Sequence, residues 1–196
     1  MYKIGISGKG GSGKDTLCKI LSTIIADNYS SFEFKSQSFS DPVKKIVNIL
    51  FPQIPKQHLY GPSKFRNEIV KGILLNGNPV TVRDLLIDVG ESYKKYDPEL
   101  MVNIFHNKSK DFCSKDIKSK FLIATDIRFP VEFEYAKREG FKTIRIIRDN
   151  CLKSSDNTET IQNSISDSSF DYVILNNGSL FDLEVHALNI FTSITS

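Results

Sequence analysis

The sequence predicts an α/β protein in which helices cover a five-stranded parallel sheet. Five short, mostly apolar segments have the character of strands, and segments with helical periodicity separate them along the chain. Strands that alternate with helices form parallel sheets with right-handed crossovers. Residues 121–124 are all apolar, which is typical of a strand covered on both faces. Ligands of such sheets bind at the carboxyl ends of the strands, so the functional residues are expected there.

A glycine-rich loop joins the first strand, Lys3–Ser7, to the first helix, which is expected to end near Asn28. The loop, Gly8–Thr16, has the Gly-x-x-x-x-Gly-Lys frame of a phosphate-binding P-loop. Glycines let successive backbone N–H groups curve around a phosphate, and the helix N-terminus attracts the same anion. The residues assigned to this cradle are Gly8, Gly10, Gly11, Ser12, Gly13 and Lys14.

The two residues after Lys14 depart from the plain motif. Asp15 stands where Ser or Thr usually binds magnesium, and Thr16 follows one position later. Nucleoside monophosphate kinases often carry the similar pattern Gly-Lys-x-Thr, and this similarity implies that Thr16 supplies the hydroxyl ligand. Two roles stay open for Asp15, which either holds a magnesium-bound water or only caps the helix.

The next part of the chain is predicted only in outline. Residues 32–39 have the pattern of the second strand, and Asp41 is expected to be the N-cap of a helix with Pro42 at its first position. Proline and glycine interrupt residues 51–80 so often that their helical content stays open. Thr81 is expected to open a further helix with a capping box.

The second half of the chain alternates more regularly. A helix starting at Asp97 is expected to bury Met101, Ile104 and Phe105, and the polar residues 107–120 are expected to form a solvated surface loop. The later predicted elements are strands at 121–126, 143–147 and 171–175, a helix at 131–139, and a last helix capped by Ser179 with Leu180, Leu183, Ala187 and Ile190 inward.

The composition fits one domain without covalent staples. A chain of 196 residues can bury about 70% of its unfolded surface. A net charge of +3 suits a small anionic substrate better than a nucleic acid. The three cysteines lie far apart, which argues against a disulfide framework or a zinc site and favours a reducing compartment. With no apolar run of membrane-spanning length and no signal peptide, we expect a cytoplasmic protein (a host's cytoplasm, if viral) without membrane or nucleic-acid partners.

A carboxylate and several arginines are expected at the carboxyl edge of the sheet. Asp126 has the Walker B position, from which a carboxylate holds magnesium through water; the alternative is a turn cap. Asp41 has the same two readings, and its neighbour Pro42 favours capping. Arg138 and Arg145, inside a helix and a strand, are expected to be structural. The other four arginines lie at loops or element ends and either bind phosphate or form surface ion pairs: Arg66, Arg83, Arg128 and Arg148.

These motifs resemble those of the deoxynucleoside monophosphate kinases of tailed bacteriophages, a branch of the P-loop kinases. The resemblance covers nearly the whole chain. It implies a P-loop NTPase fold with three α/β/α layers, as in nucleoside monophosphate kinases, forming one domain over 1–196 with an acceptor-binding insertion at about 41–100 and a lid at about 148–170. A surface loop is the alternative to the lid, and the role of Glu159 within it stays open. The resemblance rests on the motifs at 7–16, 39–44, 59–67, 82–90, 126–132 and 176–180.

The resemblance implies transfer of the ATP γ-phosphate to a deoxynucleoside 5′-monophosphate, with magnesium, to give the diphosphate. The acceptor phosphate is already a dianion at neutral pH, so no histidine base is needed. The implied catalytic residues are Lys14, Arg83, Asp126 and Arg128, and the acceptor-binding residues are Asp41, Lys44, Arg66, Arg83 and Arg128. The implied magnesium residues are Asp15, Thr16 and Asp126. ATP is implied to contact the cradle residues, Asp15 and Thr16, and also Arg148, Asn176 and Gly178.

Two other functions stay open. One is a P-loop kinase for another phosphorylated metabolite, of the phosphomevalonate or dephospho-coenzyme A type, and the other is a non-catalytic nucleotide-binding protein. A switch GTPase is disfavoured because the sequence has no Asn-Lys-x-Asp motif and no Asp-x-x-Gly after the Asp126 strand. The preferred base, the choice between deoxyribose and ribose, and the formation of a homodimer also stay open.

Overall fold

The structure is a computed structural model that describes residues 1–114, 119–149, 151 and 161–196. Two 3₁₀ turns lie at Ser63–Asn67 and Asp167–Ser169. The other elements follow in this order: β1 Tyr2–Ser7, α1 Lys14–Asn28, β2 Glu33–Gln37, α2 Asp41–Leu50, α3 Lys56–Tyr60, β3 Ile69–Leu75, β4 Asn78–Thr81, α4 Val82–Lys94, α5 Leu100–Ser114, β5 Lys120–Ile127, α6 Pro130–Arg138, β6 Lys142–Ile147, β7 Tyr172–Leu175 and α7 Leu180–Thr195.

The described residues divide into two compact units. The first contains Met1–Phe39 and Phe105–Ser196, and the second contains Ser40–Ile104. The bounds of the second unit nearly coincide with the range 41–100, which the resemblance assigns to acceptor binding. That role stays a prediction, as does the assignment of 1–196 to a single domain.

The first unit is built on a five-stranded parallel sheet in the order β2-β5-β1-β6-β7. Helices cover both faces of this sheet. On one face Ile123 packs in a buried cluster with Leu17 of α1 and Leu183 of α7. On the other, Phe105 of α5 packs against Phe141 and against Tyr135 of α6. The α/β class and the five parallel strands are confirmed, in a three-layer arrangement like that of P-loop proteins.

The last helix shows how local sequence signals set an element. The Ser179 hydroxyl accepts a hydrogen bond from the Asp182 backbone N–H at 3.2 Å, and the Asp182 carboxylate accepts one from the Ser179 N–H at 2.7 Å. This is the predicted capping box, and it satisfies N–H groups that the helix leaves unpaired. Leu183, Ala187 and Ile190 are buried as predicted, whereas Leu180, the first helical residue, is 59% exposed and the expectation for it is wrong.

The second unit has its own buried core. Val47 of α2, Leu59 of α3 and Val82 of α4 pack with residues of the antiparallel β3–β4 hairpin. The hairpin turns at Asn76 and Gly77, whose φ angles are 52° and 81°, as its two-residue turn requires. It lies in the 51–80 stretch whose structure the sequence left open. The capping box of Thr81 with Asp84 is confirmed.

Three sequence-based expectations for α2 and α5 are wrong. The N-cap of α2 is Ser40, so Asp41 is the first helical residue and not the cap. The predicted surface loop at 107–120 is helical as far as Ser114, because Phe105 and Ser109 continue a buried stripe along α5. Met101 and Ile104 are only half-buried, and Val102 occupies the inward position instead.

Two further observations concern the chain as a whole. Within the described ranges, no helix is both long enough and apolar enough to cross a lipid bilayer. Cys18, Cys113 and Cys151 are free thiols.

Candidate phosphate-binding site

The glycine-rich loop between β1 and α1 has steric reasons for its glycines. Gly11 and Gly13 have φ angles of 81° and 106°, which side chains with a Cβ rarely adopt. A Cβ at Gly8 would lie 2.5 Å from the Ile146 carbonyl oxygen, and a Cβ at Gly13 would lie 2.5 Å from Asn176 Nδ2. The loop is therefore packed so closely against the ends of its neighbouring strands that only glycine fits at these two positions.

Ser12 gives the loop a buried polar group suited to a ligand. The residue is 1% exposed, and its hydroxyl finds no hydrogen-bond partner among the described residues. Its carbonyl is already engaged, because Asn176 Nδ2 donates to it at 2.8 Å. An unpaired buried hydroxyl costs about 1–3 kcal/mol, which an oxygen of a bound phosphate would recover. The loop thus fits the phosphate ligand that its sequence predicts.

Lys14 extends its ammonium group back over the loop. Its Nζ donates to the carbonyl oxygens of Gly8 at 2.5 Å and Lys9 at 2.9 Å. It also lies 3.9 Å from the Asp126 carboxylate, and both side chains are only 10% exposed. The positive charge is therefore held at the loop by groups that a phosphate can replace.

The end of β5 adds a second cation to this edge. Arg128 Nε donates to Asp126 Oδ1 at 2.8 Å, so the carboxylate lies between Arg128 and Lys14. Lys14, Asp126 and Arg128 therefore lie together at the end of β5, and their catalytic roles stay predictions. Direct coordination of magnesium by Asp126 would compete with both cations, whereas a contact through water fits the arrangement.

Glu132 fixes the turn that follows β5. Its Oε2 accepts hydrogen bonds from the backbone N–H groups of Arg128 at 2.8 Å and Phe129 at 3.1 Å. Burial raises the pKa of this carboxyl from 4.5 to about 7; the two backbone hydrogen bonds oppose the shift, and the Asp126 charge adds to it. The sequence motif contained Glu132, but its burial could not be read from the sequence.

Asp15 and Thr16 are exposed in the first turn of α1. The N-cap of α1 is Gly13, so Asp15 does not cap the helix. Its negative charge lies in the first turn, where it interacts favourably with the helix dipole. Magnesium needs only one or two protein groups besides water and substrate phosphates, and a carboxylate with a hydroxyl suits it. Among the residues that the structure describes, no three or more His, Cys, Asp or Glu side chains form a ready-made metal cluster.

The residues assigned to the far side of ATP have mixed surroundings. Arg148 is exposed just after β6. Asn176 is buried, and it ties the end of β7 to the loop through Ser12 and to β6 through the Ile147 carbonyl at 2.7 Å. Gly178 has no room for a Cβ, which would meet the Asp182 carboxylate of the capping box. Asn176 and Gly178 therefore have structural reasons as well as their predicted binding role.

The range predicted as a lid contains a part that packs inward. Gln162, Ile165 and Phe170 are buried in the first unit, a finding that the polar sequence around them did not signal. Arg145, expected to be structural, is 5% exposed and hydrogen-bonded to Ser7. Residues 150 and 152–160, with Glu159 among them, lie outside the described residues.

Four of the five predicted acceptor-binding residues, Asp41, Lys44, Arg66 and Arg83, lie in the second unit, whereas Arg128 lies in the first. Lys44 Nζ is 3.4 Å from the Asp41 carboxylate and lies over the Tyr60 ring, 5.8 Å from its centre. Arg66 donates to the Leu59 carbonyl at 3.4 Å. Arg83 Nε donates to the Asn67 side chain at 2.9 Å. The unit thus presents the predicted cations, each oriented by a neighbouring group.

Comparisons with known proteins add little to this geometry. No protein-family model matches the chain, and no curated protein matches it. Among solved structures, the crystal structure of TT1252 from Thermus thermophilus is similar, with a TM-score of 0.48 and 15% sequence identity, covering 100% of this chain and 98% of that one.

Proposed function

We propose that the protein is an ATP-dependent deoxynucleoside monophosphate kinase. One observation carries the proposal. Next to a glycine loop with a buried hydroxyl that has no partner among the described residues, the structure places two cations, Lys14 and Arg128, on a shared carboxylate, Asp126. The sequence resemblance supplies the choice of acceptor.

The loop and Lys14 bind the donor phosphates in this proposal. Backbone N–H groups of the loop and the Ser12 hydroxyl take phosphate oxygens, and the helix N-terminus favours the same charge. Lys14 exchanges the carbonyls of Gly8 and Lys9 for the β- and γ-phosphates. Magnesium, held near Asp15 and Thr16 and through water by Asp126, would neutralise phosphate charge when bound.

The transfer itself needs positioning and positive charge. An oxygen of the acceptor monophosphate forms a bond to the γ-phosphorus as the bond to the β–γ bridging oxygen breaks, and ADP leaves with that electron pair. The acceptor is a dianion, so no proton has to be removed. Arg128, held in place by Asp126, stabilises the charge that develops on the moving phosphoryl group.

The second unit is proposed to bind the acceptor. Arg66, Arg83 and Lys44 are suited to its dianionic phosphate, since arginine presents a planar fork to phosphate oxygens. Asp41 keeps Lys44 oriented. Both substrates are cytoplasmic metabolites, so the proposal places the protein in the cytoplasm.

ADP release with a panel of monophosphate acceptors tests the proposal. Purified protein with ATP and magnesium should form ADP only when a deoxynucleoside monophosphate is present. Lys19→Ala, an exposed lysine on the same helix, is the control for Lys14→Ala. No turnover with any deoxynucleoside monophosphate refutes the proposal. Turnover with phosphomevalonate or dephospho-coenzyme A then indicates the other kinase class, and nucleotide binding without any turnover indicates a non-catalytic protein.

A further inference from the structure

A buried polar cluster lies directly behind the glycine-rich loop. We call it the Ser7 cluster: the buried residues Ser7, Arg145 and Gln162, with exposed Asp167 at its edge. Ser7, the last residue of β1, is 0% exposed, Gln162 is 2% exposed and Arg145 is 5% exposed. Polar side chains at this depth are costly unless their hydrogen bonds are made. The cluster is therefore tolerated only because its members bond one another.

Ser7 uses its full hydrogen-bonding capacity in this cluster. Its Oγ donates to the Ile127 carbonyl at 2.8 Å and accepts from Arg145 Nη1 at 3.0 Å and Gln162 Nε2 at 3.1 Å. A hydroxyl has one donor and two acceptor lone pairs, so all three are filled. Gln162 Nε2 also donates to the Ile127 carbonyl, at 3.3 Å, so the same amide group contacts both Ser7 and Ile127.

Arg145 holds Gln162 from the other side. Its Nη2 donates to the backbone carbonyl of Gln162 at 3.5 Å, and its Nε donates to Asp167 Oδ1 at 2.9 Å. The guanidinium lies over the Phe170 ring, 5.4 Å from its centre. Arg145 therefore holds the backbone of Gln162 in place. The Gln162 side-chain amide must point its N–H groups at the Ile127 carbonyl, because a carbonyl oxygen can only accept a hydrogen bond.

The bonds of the Ser7 cluster fall where the regular sheet ladder is interrupted. The register between β1 and β5 shifts between Gly5 and Ser7, and Ser7 lies opposite Ile127. Side-chain bonds to the Ile127 carbonyl thus replace part of the backbone pairing at this point. On the far side of the same peptide, the Arg128 N–H is held by Glu132.

We propose that Gln162 is a positioning residue for phosphoryl transfer, an inference that rests on the proposed function. Ile127 lies between Asp126 and Arg128, and Ser7 directly precedes Gly8 of the loop. Gln162 bonds both, so it fixes the strand end that carries Asp126 and Arg128 relative to the loop that holds the donor phosphates. Small displacements of groups in a transfer site lower the rate even when the groups themselves are intact.

Replacing Gln162 by methionine keeps the side-chain size and removes both donors. Asn189→Leu is the matched control, because it also exchanges an amide for an apolar group, at an exposed position on α7. We expect Gln162→Met to lower kcat at least about tenfold, while the affinity for Mg·ADP measured by calorimetry changes less than about threefold. A kcat within twofold of Asn189→Leu at a temperature where both are folded overturns the proposal.

Hydrogen exchange gives a readout that needs no turnover. The backbone amide of Arg128 should exchange about tenfold faster in Gln162→Met than in Asn189→Leu, because the peptide before it loses an anchor. If Gln162→Met does not fold, Ser7→Ala, which removes the shared hydroxyl, is expected to show the same kcat loss and the same faster exchange. Unchanged Arg128 exchange in the folded variant overturns the positioning role.

The two proposals fail in different ways. A wild-type protein that phosphorylates no acceptor refutes the proposed function and with it the catalytic consequence of Gln162. A wild-type protein that is active, with full kcat in Gln162→Met, or in Ser7→Ala where Gln162→Met does not fold, refutes only the role of Gln162.

Discussion

The glycine-rich loop directly follows Ser7 of the Ser7 cluster, but the two regions are opposite in their hydrogen bonding. In the loop, the Ser12 hydroxyl is buried and the described residues offer it no partner. Ser7 directly precedes the first residue of the loop, and its hydroxyl makes all the hydrogen bonds that a hydroxyl can make. Unpaired buried groups cost stability, whereas completed networks make a region rigid. The contrast supports the proposals that the loop binds a ligand and that the cluster keeps the loop in place.

The largest expected effect comes from the ligand-facing side. Lys14→Ala should lower kcat/KM about 10³-fold, because it removes a charged donor from the transferring phosphoryl group. The free energy of unfolding should change by about 1–3 kcal/mol, since two partly buried hydrogen bonds are lost while Asp126 keeps Arg128 as a partner. Steady-state kinetics and urea denaturation measure the two effects, with Lys19→Ala as control. Equal losses in activity for both lysines would contradict the assignment.

Arg128→Ala should lower kcat about 10²-fold, through loss of positive charge at the transfer site. Arg83→Ala in the second unit is expected to act in the same direction. Both should change stability much less than activity, whereas Arg138→Ala, an exposed residue of α6 whose guanidinium lies over the Tyr135 ring, should leave the rate unchanged. A large fall in Tm with an unchanged rate would show instead that these arginines stabilise the fold, as the Ser7 cluster does.

Glu132 supports the turn after β5 and is not expected to contact a ligand, so replacing it should change stability. Its folded pKa of about 7 lies above its ordinary value of 4.5, so between these pH values the folded state keeps a proton that the unfolded state has lost. The contribution to stability is therefore present at low pH and lost as pH rises through 7. From pH 5 to 8, wild-type protein should lose about 2–3 kcal/mol more unfolding free energy than Glu132→Gln. Parallel pH profiles in urea denaturation would refute this.

The smallest effect compares two glycines with positive φ. Gly13→Ala should cost about 2 kcal/mol and weaken ADP binding, because its Cβ would displace Asn176 from the loop. Gly140→Ala has φ near 75° and open space around its Cβ within the described residues, so it should cost about 1 kcal/mol with no effect on binding. Denaturation and ADP calorimetry on both variants test this, and equal effects would show that only the φ angle matters.

Local signals predicted most of the first unit and the start of α4 in the second. The loop, the capping boxes at Thr81 and Ser179 and the apolar run before Asp126 each determine structure over a few residues, and all agree with the structure. The same logic brought Lys14, Asp126 and Arg128 to one edge, because strand ends of a parallel sheet meet there. Their cationic and anionic character could be read directly from the sequence.

The remaining features depend on contacts between distant residues. Gln162 lies in a polar stretch, and only its bonds to Ser7 and Ile127, 155 and 35 residues away, make it a buried residue. The helix through 107–114 was missed because its stripe is thin and its other faces are polar. The β3–β4 hairpin had an Asn-Gly signal, but the prolines and glycines around it obscured the strands.

The strand order has a consequence for synthesis of the chain. β1 lies at the centre of the sheet, yet its partners are β5 and β6, so its pairing waits for more than a hundred further residues. The second unit, in contrast, is contiguous in sequence and has a core of its own. We expect residues 40–104 to gain exchange protection before β1 during refolding, because nearby contacts close with less loss of entropy. Pulse-labelled hydrogen exchange that found β1 protected first would contradict this order.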